Sequence, residues 1–277
     1  MTTKVALITG ASSGIGKATV KEFLKLRYTV YAASRRLEAM EDIKMEGAKI
    51  LHLDLTDSDS IKNCISTVLS ESGRLDVLVN NAGYGSYGAV EDVPIEEARR
   101  QFEVNLFGVA EMIQQVLPQM RKQRFGKIVN VSSIGGKVWS LLGAWYQATK
   151  FALEGFSDCL RNELRPLGID VILIEPGTIK TDWSTTAVEN LLKFSSESAY
   201  HKLAKIAAKF YPETEKNMGA EPDVIAKTII KSISASRPKA RYVAPYSAKI
   251  LVFLRWLLSD SAFDKLMSKM FRIPKRL

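Results

Sequence analysis

Val5-Ala6-Leu7-Ile8-Thr9-Gly10-Ala11-Ser12-Ser13-Gly14-Ile15-Gly16 is the stretch whose reading decides the fold. The apolar run predicts a strand over 4–9. The glycines then let the chain turn tightly into 14–26, where Val20, Phe23 and Leu24 recur at helical spacing. A strand, a glycine turn and a helix N-terminus bring backbone N–H groups up to a pyrophosphate. A glycine pattern alone is weak evidence; the flanking strand and helix supply the context that nucleotide binding requires.

Outward from this turn, short runs rich in β-branched residues predict strands at 28–33, 49–53, 76–80, 126–132, 168–175 and 241–245. Most are continuously apolar, the pattern of strands buried on both faces. The stretches between them keep helical spacing, as at 98–121 with Phe102, Leu106, Val109 and Ile113. This alternation predicts an α/β class protein, a single Rossmann-type doubly wound parallel sheet of seven strands with helices on both faces. One domain spanning 1–277 is the economical expectation. Residues 182–218 break the rhythm after the sixth strand, are rich in Ser, Thr and Lys, and carry Trp183, Phe194, Tyr200 and Phe210. They read as a long insertion that folds over a substrate as a lid. A C-terminal helical extension is expected over 246–277; its apolar stretch, Ile250–Leu258, is too short to cross a membrane.

Composition bounds the alternatives. A chain of 277 residues buries a substantial core without disulfides or a structural metal. Cys64 and Cys159 stand far apart, outside any CxxC pattern, and read as small buried hydrophobes in a reducing compartment. His52 and His201 are equally isolated, so no metal site is expected. The first apolar run is too short for a secretory signal, and a cytoplasmic location is expected. Of the net charge of +9, ten Lys/Arg and two Asp place +8 between Arg237 and Leu277. Such a tail attracts anionic lipid, nucleic acid or acidic partners, or is simply a solvated helix surface. A nucleic-acid binder would need a recognition helix or stacking motif, and neither is visible.

Further motifs follow the glycine turn in order. Asn80-Asn81-Ala82-Gly83 closes the fourth strand and Asn105 lies in the next helix. Ser133 ends the fifth strand, Tyr146-x-x-x-Lys150 opens the helix after it, and Pro176-Gly177 follows the sixth strand with Thr181 beyond. With the TGxxxGIG spelling at Thr9–Gly16, the chain resembles the short-chain dehydrogenase/reductase family, closely over residues 4–182. Tyr146 stands thirteen residues after Ser133, the separation that family uses, which selects Ser133 over Ser132 as the catalytic serine.

The resemblance implies an oxidoreductase moving hydride between a nicotinamide and a ketone, aldehyde or alcohol. Tyr146 would be the acid–base, and Ser133 would hold the substrate oxygen. Lys150, one helical turn from Tyr146, should lower the phenol's pKa and bond the nicotinamide ribose. Asn105 would hold a relay water, unless it merely caps or bends its helix. Cofactor contacts are expected from Gly10, Ser12, Ser13, Gly14, Ile15, Gly16, Asp54, Leu55, Asn81, Ala82, Gly83, Tyr146, Lys150, Pro176, Gly177, Ile179 and Thr181. Asp54 resembles the family's adenine-contacting acid, or else is an N-terminal helix residue. Ile179 would offer its backbone to the carboxamide.

At the end of the second strand, where an acid would reject a 2′-phosphate, stand Ser34, Arg35 and Arg36. A small neutral residue followed by two guanidiniums suits NADP(H); Arg36 also reads as a solvated residue. Ser236-Arg237-Pro238-Lys239-Ala240-Arg241-Tyr242 and the apolar, basic end resemble the 17β-hydroxysteroid and retinol dehydrogenase branch, implying a lipophilic substrate. Helices at 98–121 and 144–165 commonly pair between subunits in that family, implying a homodimer or homotetramer. Ile250, Phe253, Leu254 and Leu257 with Lys249, Lys265, Lys269, Arg272, Lys275 and Arg276 could seat the C-terminal helices on anionic membrane, or pack against the domain or a sister subunit. The rival reading is a catalytically silent NADP-binding sensor or scaffold. The intact Asn105, Ser133, Tyr146 and Lys150 argue against it.

Overall fold

Alternating apolar runs and amphipathic stretches resolve, in a computed structural model describing residues 3–274, into one parallel sheet with flanking helices. The strands are β1 Val5–Thr9, β2 Thr29–Ser34, β3 Lys49–His52, β4 Val77–Asn80, β5 Gly126–Val131, β6 Ile169–Pro176 and β7 Arg241–Ala244. Each coincides with a run named above. The helices are α1 Gly14–Lys25, α2 Glu41–Met45, α3 Ser58–Ser72, α4 Ile95–Phe102, α5 Gly108–Gln123 and α6 Ala144–Leu164. They continue with α7 Trp183–Ser195, α8 His201–Met218, α9 Pro222–Ser234, α10 Tyr246–Leu257 and α11 Asp260–Met270.

The strand order is β3-β2-β1-β4-β5-β6-β7, and every pair is parallel. The order reverses between β1 and β4, so a crevice opens beyond the carboxyl ends of those strands. Successive side chains of β1 go to opposite faces, as a period of two requires. Val5 and Leu7 join Cys64 and Val68 of α3, Met112 and Val116 of α5, and Leu153 and Leu160 of α6. Ala6 and Ile8 join Val20 and Phe23 of α1 and Ile225 and Ile229 of α9. Burial on both faces explains why the strand runs are continuously apolar.

Three expectations change. The helix expected over 98–121 is interrupted: a π-helical turn at Glu103–Phe107 separates α4 from α5. The segment 182–218 is not an irregular insertion but two well-formed helices, α7 and α8. With α11 they build a third apolar cluster over Tyr87, Val138, Leu141 and Tyr146. Cys64 is buried, but Cys159 is exposed, because α6 turns its inner face to the sheet through Leu153, Ser157 and Leu160.

Candidate active site

The crevice begins at the β1–α1 turn. Gly10 has φ +66° and Gly14 φ +51°, a left-handed conformation that a residue with Cβ rarely takes. A Cβ on Gly16 would stand 2.1 Å from the Gly10 carbonyl oxygen, so only glycine lets the helix start this close to the strand. Asn81 braces the turn from the loop after β4: its Nδ2 donates to the carbonyls of Thr9 at 3.0 Å and Gly10 at 3.2 Å. Thr9 Oγ1 accepts from the N–H groups of Asn81 and Ala82 at 3.0 Å each. Asn81 and Ala82 therefore shape the turn.

Ser13 opens α1 with no side-chain cap, and no acid lies in the first turn, an N-terminus suited to a phosphate. Ser12 and Ile15 flank it. At the end of β2, Ser34 is buried and its Oγ accepts from the Arg36 N–H at 3.1 Å. Arg35 and Arg36 are exposed, and Arg36 donates to Ser12 Oγ at 3.3 Å, so guanidinium and phosphate turn adjoin. No acid stands at this strand end. These residues fit a dinucleotide.

Asp54 is not the cap of α3. That role belongs to Asp57, whose carboxylate accepts from Asp59 and Ser60 N–H. Asp54 Oδ1 instead accepts from the Thr56 N–H at 2.9 Å and hydroxyl at 2.8 Å. Burial raises its pKa, but these bonds and the charges of Arg35 and Arg100 outweigh burial and hold it low. Leu55 turns its side chain into the core, and its carbonyl presses on Gly108, where a Cβ would come within 2.4 Å.

At the far end of the crevice, Gly177 follows Pro176 and donates to the Ala244 carbonyl at 2.8 Å. Ile179 bridges to Ala220 through the Thr178 carbonyl and the Lys180 N–H, and neither bond uses the N–H or C=O of Ile179 itself. Thr181 reaches back to the first turn, with its Cγ2 2.9 Å from where a Gly14 Cβ would stand.

Between these ends lie the four candidate catalytic residues. Ser133 caps a 3-10 turn at Ile134–Gly136, its Oγ accepting from the Gly135 N–H at 2.9 Å. Tyr146, 8 % exposed, is hydrogen-bonded to Ser133. Lys150, 6 % exposed, donates to the Val131 carbonyl at 3.0 Å, and its Nζ lies 5.8 Å from the Tyr146 ring centre. Asn105 sits in the π-helical turn, a distortion that often marks functional positions. Its Oδ1 accepts from the Tyr84 N–H at 3.1 Å, and its Nδ2 donates to the Tyr84 carbonyl at 2.9 Å and to Thr149 Oγ1 at 3.1 Å. A Cβ on Gly83 would stand 3.0 Å from Asn105 Oδ1 and 3.8 Å from Lys150 Nζ, which places Gly83 at the floor of the quartet.

One electrostatic expectation is corrected. The phenol of Tyr146 is not lowered by Lys150 in this state: burial pushes it up to about 12, opposed by the bond with Ser133. The ammonium faces the Val131 carbonyl instead of the phenol oxygen. Burial also pulls Lys150 down to about 8, against the charge of Glu154.

Aromatic residues outside the motifs wall the phenol. Trp183 of α7 lies 5.1 Å from the Tyr146 ring and Tyr87 lies 5.9 Å from it; Tyr87 also meets Trp183 at 5.6 Å and Tyr211 of α8 at 5.2 Å. Tyr211 donates to the Leu141 carbonyl at 2.6 Å. Tyr87 and Tyr211 escape motif reading because no fixed spacing ties them to Tyr146. Only the aromatic content of residues 182–218 hints at such a wall.

A family model described as short chain dehydrogenase matches residues 4–191. The "Probable short-chain type dehydrogenase/reductase VdlC" of Helicobacter pylori is 38 % identical over 95 % of this chain and 96 % of its own length. The 3-ketodihydrosphingosine reductase of Bacteroides thetaiotaomicron is 36 % identical, over 87 % of each chain. The crystal structure of a short-chain dehydrogenase from Streptomyces avermitilis matches with a TM-score of 0.79 at 31 % identity, covering 98 % of this chain and 96 % of that one.

The buried lysine has a stability signature. Its pKa lies near about 8 in the fold against 10.5 for an ordinary lysine. Between those values the unfolded chain binds more protons, so stability rises with pH across that window and the burial cost is fully present below it. Lys150→Met is expected to stabilise the protein at pH 7 by on the order of 1–3 kcal/mol, the lost bond to Val131 offsetting part of the gain. Urea unfolding at pH 7 and pH 10 checks this. A variant no more stable than wild type at pH 7 refutes the burial of a charged lysine.

Proposed function

The chain belongs to the short-chain dehydrogenase family, and from that premise we propose that it is an NADP(H)-dependent oxidoreductase interconverting a lipophilic ketone or aldehyde and its alcohol. The observation that carries this reading is the convergence of Ser133, Tyr146, Lys150 and Asn105 beside Gly83, at the mouth of a glycine turn built for a phosphate. Bound dinucleotide supplies or accepts the hydride. The chain itself handles the proton. Gly135 occupies an acceptor position of Ser133 Oγ and leaves the hydroxyl proton to aim at a substrate oxygen. The Tyr146 hydroxyl, protonated throughout the neutral range, donates its proton to that oxygen as the carbonyl is reduced. Lys150 and Asn105 hold the relay behind it, Asn105 fixed by its two bonds to Tyr84.

Selection of NADP(H) rests on Ser34, Arg35 and Arg36, with no acid at the strand end. A lipophilic substrate is supported by the aromatic wall of Tyr87, Trp183 and Tyr211, and by the relative named 3-ketodihydrosphingosine reductase. In this reading α7 and α8 form the lid of a one-domain enzyme. Trp183 must leave the Tyr146 ring before a substrate reaches the phenol. A homo-oligomer through α4–α6 is supported by exposed Ile95, Phe107 and Phe151 and by an apolar hollow of about 260 Å³ lined by Ile95, Phe102, Phe107 and Trp145.

Membrane contact is part of the same reading. On α10, Trp256 is 78 % and Tyr246 74 % exposed, and Ile250, Phe253 and Leu257 share their side of the helix with Lys249. Leu254 is half-buried and does not belong to that side. On α11, Phe263 and Met267 turn inward, while Lys265, Lys269 and the following Arg272 are exposed. Lys275 and Arg276 lie outside the described residues. No described helix is long and apolar enough to cross a membrane.

Two experiments test the reading. Coenzyme oxidation with a carbonyl panel should favour NADPH over NADH. Arg35→Ala should lower kcat/KM for NADPH by roughly 10- to 100-fold, the worth of one bond to a charged group, and leave NADH unchanged. Tyr146→Phe should abolish turnover. Equal use of both coenzymes overturns the cofactor assignment, turnover retained in Tyr146→Phe overturns the acid–base role, and activity confined to short sugars or acyl-carrier thioesters overturns the substrate class. Separately, the protein should co-sediment with phosphatidylserine vesicles at low salt and less at high salt. No lipid-dependent pelleting rules out the membrane contact.

A further inference from the structure

Tyr146, Lys150 and Glu154 stand four residues apart on α6 and so follow one another on a single face at successive turns. The proposed reaction uses the first two. Glu154 is equally buried, and nothing in that reaction has needed it. Its Oε2 accepts from Arg241 Nε of β7 at 2.9 Å and pairs with Lys137 Nζ at 3.0 Å. Glu175 of β6 meets the same Arg241 nitrogen, with its Oε1 at 3.2 Å, and Oε1 of each of the two carboxyl groups has no hydrogen-bond partner among the described residues. The other arm of Arg241 donates to Asp158 at 2.6 Å. A Cβ on Gly136 would come 2.8 Å from Glu154 Cγ and 3.1 Å from the Lys150 carbonyl oxygen, so the turn that begins at Ser133 packs directly on this junction.

Two carboxyl groups this close in a dry interior do not both ionise freely. Burial first and the Glu154 charge second push Glu175 up to about 7, so it is partly protonated near neutrality. Glu154, flanked by Lys137 and Arg241, carries the negative charge. Among the described residues it is Glu154 whose charge opposes the effect of burial on the Lys150 ammonium.

We propose that Glu154 is a positioning residue for the reaction: its carboxylate, held by Lys137 and Arg241 one helical turn beyond Lys150, keeps Lys150 cationic and pinned to the Val131 carbonyl beside Tyr146. This rests on the proposed place of Lys150 in the proton relay. A neutral lysine would have one hydrogen-bond donor fewer and no charge with which to favour a phenolate. The groups facing the junction are Lys137 after β5, Glu175 on β6, Arg241 on β7, and Tyr146, Lys150 and Asp158 on α6 itself.

The test reads Lys150 directly, without turnover. In the full chain labelled with ¹³C at lysine Cε, the Lys150 resonance is assigned by its loss in Lys150→Met and titrated by NMR. Wild type should titrate near about 8. Glu154→Gln should lower the midpoint by at least about one pH unit, the scale of a charge within hydrogen-bonding neighbourhood. Glu154→Asp should keep most of the wild-type value, and Glu175→Gln should lower it by less than Glu154→Gln does, since Glu154 and not Glu175 acts on the Lys150 charge. An unchanged midpoint in Glu154→Gln overturns the proposal. So does an equal fall in Glu154→Gln and Glu175→Gln, which would mean that the effect does not belong to Glu154. The alkaline limb of carbonyl reduction should move with the midpoint. If the midpoint falls and the limb stays, Glu154 tunes a lysine that the reaction does not need.

Discussion

Keeping an ammonium inside the protein is the constraint around which the site is arranged. Lys150 is buried between the sheet and its own helix, where charge is disfavoured by several kcal/mol unless a partner answers it. The direct partner is one backbone carbonyl, that of Val131, at the point where β5 ends and its last strand bonds have been made. This location is set by the fold. A parallel sheet delivers strand ends, with their carbonyls pointing onward, to one edge, and that edge is also where the strand order reverses. The buried charge, the glycine turn and the aromatic wall therefore share one rim.

The same rim explains why so much was legible in the linear order of residues. The glycine turn and the Asn81 brace act over a few residues and demand particular residue types: a left-handed Gly10, a Gly16 with no room for Cβ, an amide that bonds two carbonyls at once. Tyr146 and Lys150 are one helical turn apart, so their spacing is their geometry. The strands could be found because burial on both faces keeps most of their residues apolar, Asn130 and Glu175 being buried exceptions. Local requirements leave local marks.

What was not legible lies in contacts between distant segments. Glu154, Glu175 and Arg241 come from a helix and two strands and meet only because β7 pairs with β6 in register, setting Glu175 opposite Val243. Tyr87, Trp183 and Tyr211 converge in the same manner from a loop and two helices. The π-helical turn at Asn105 is one extra residue within an otherwise regular amphipathic pattern, and periodicity tolerates that without notice. The phenol's pKa follows its burial, opposed by Ser133, which spacing alone cannot specify: a helical turn puts Lys150 near Tyr146, but the Val131 carbonyl decides the lysine's direction.

The position of β7 has a consequence for how the protein is made. A ribosome has delivered all of the nucleotide turns and all four candidate catalytic residues once Thr181 has emerged, but Arg241 follows sixty residues later. Until that strand is laid down at the sheet's edge, the two inward-facing carboxyls have no guanidinium between them. A nascent chain can thus assemble its glycine turn early, while the interior behind the lysine is completed only by β7, the last of the described strands to be translated.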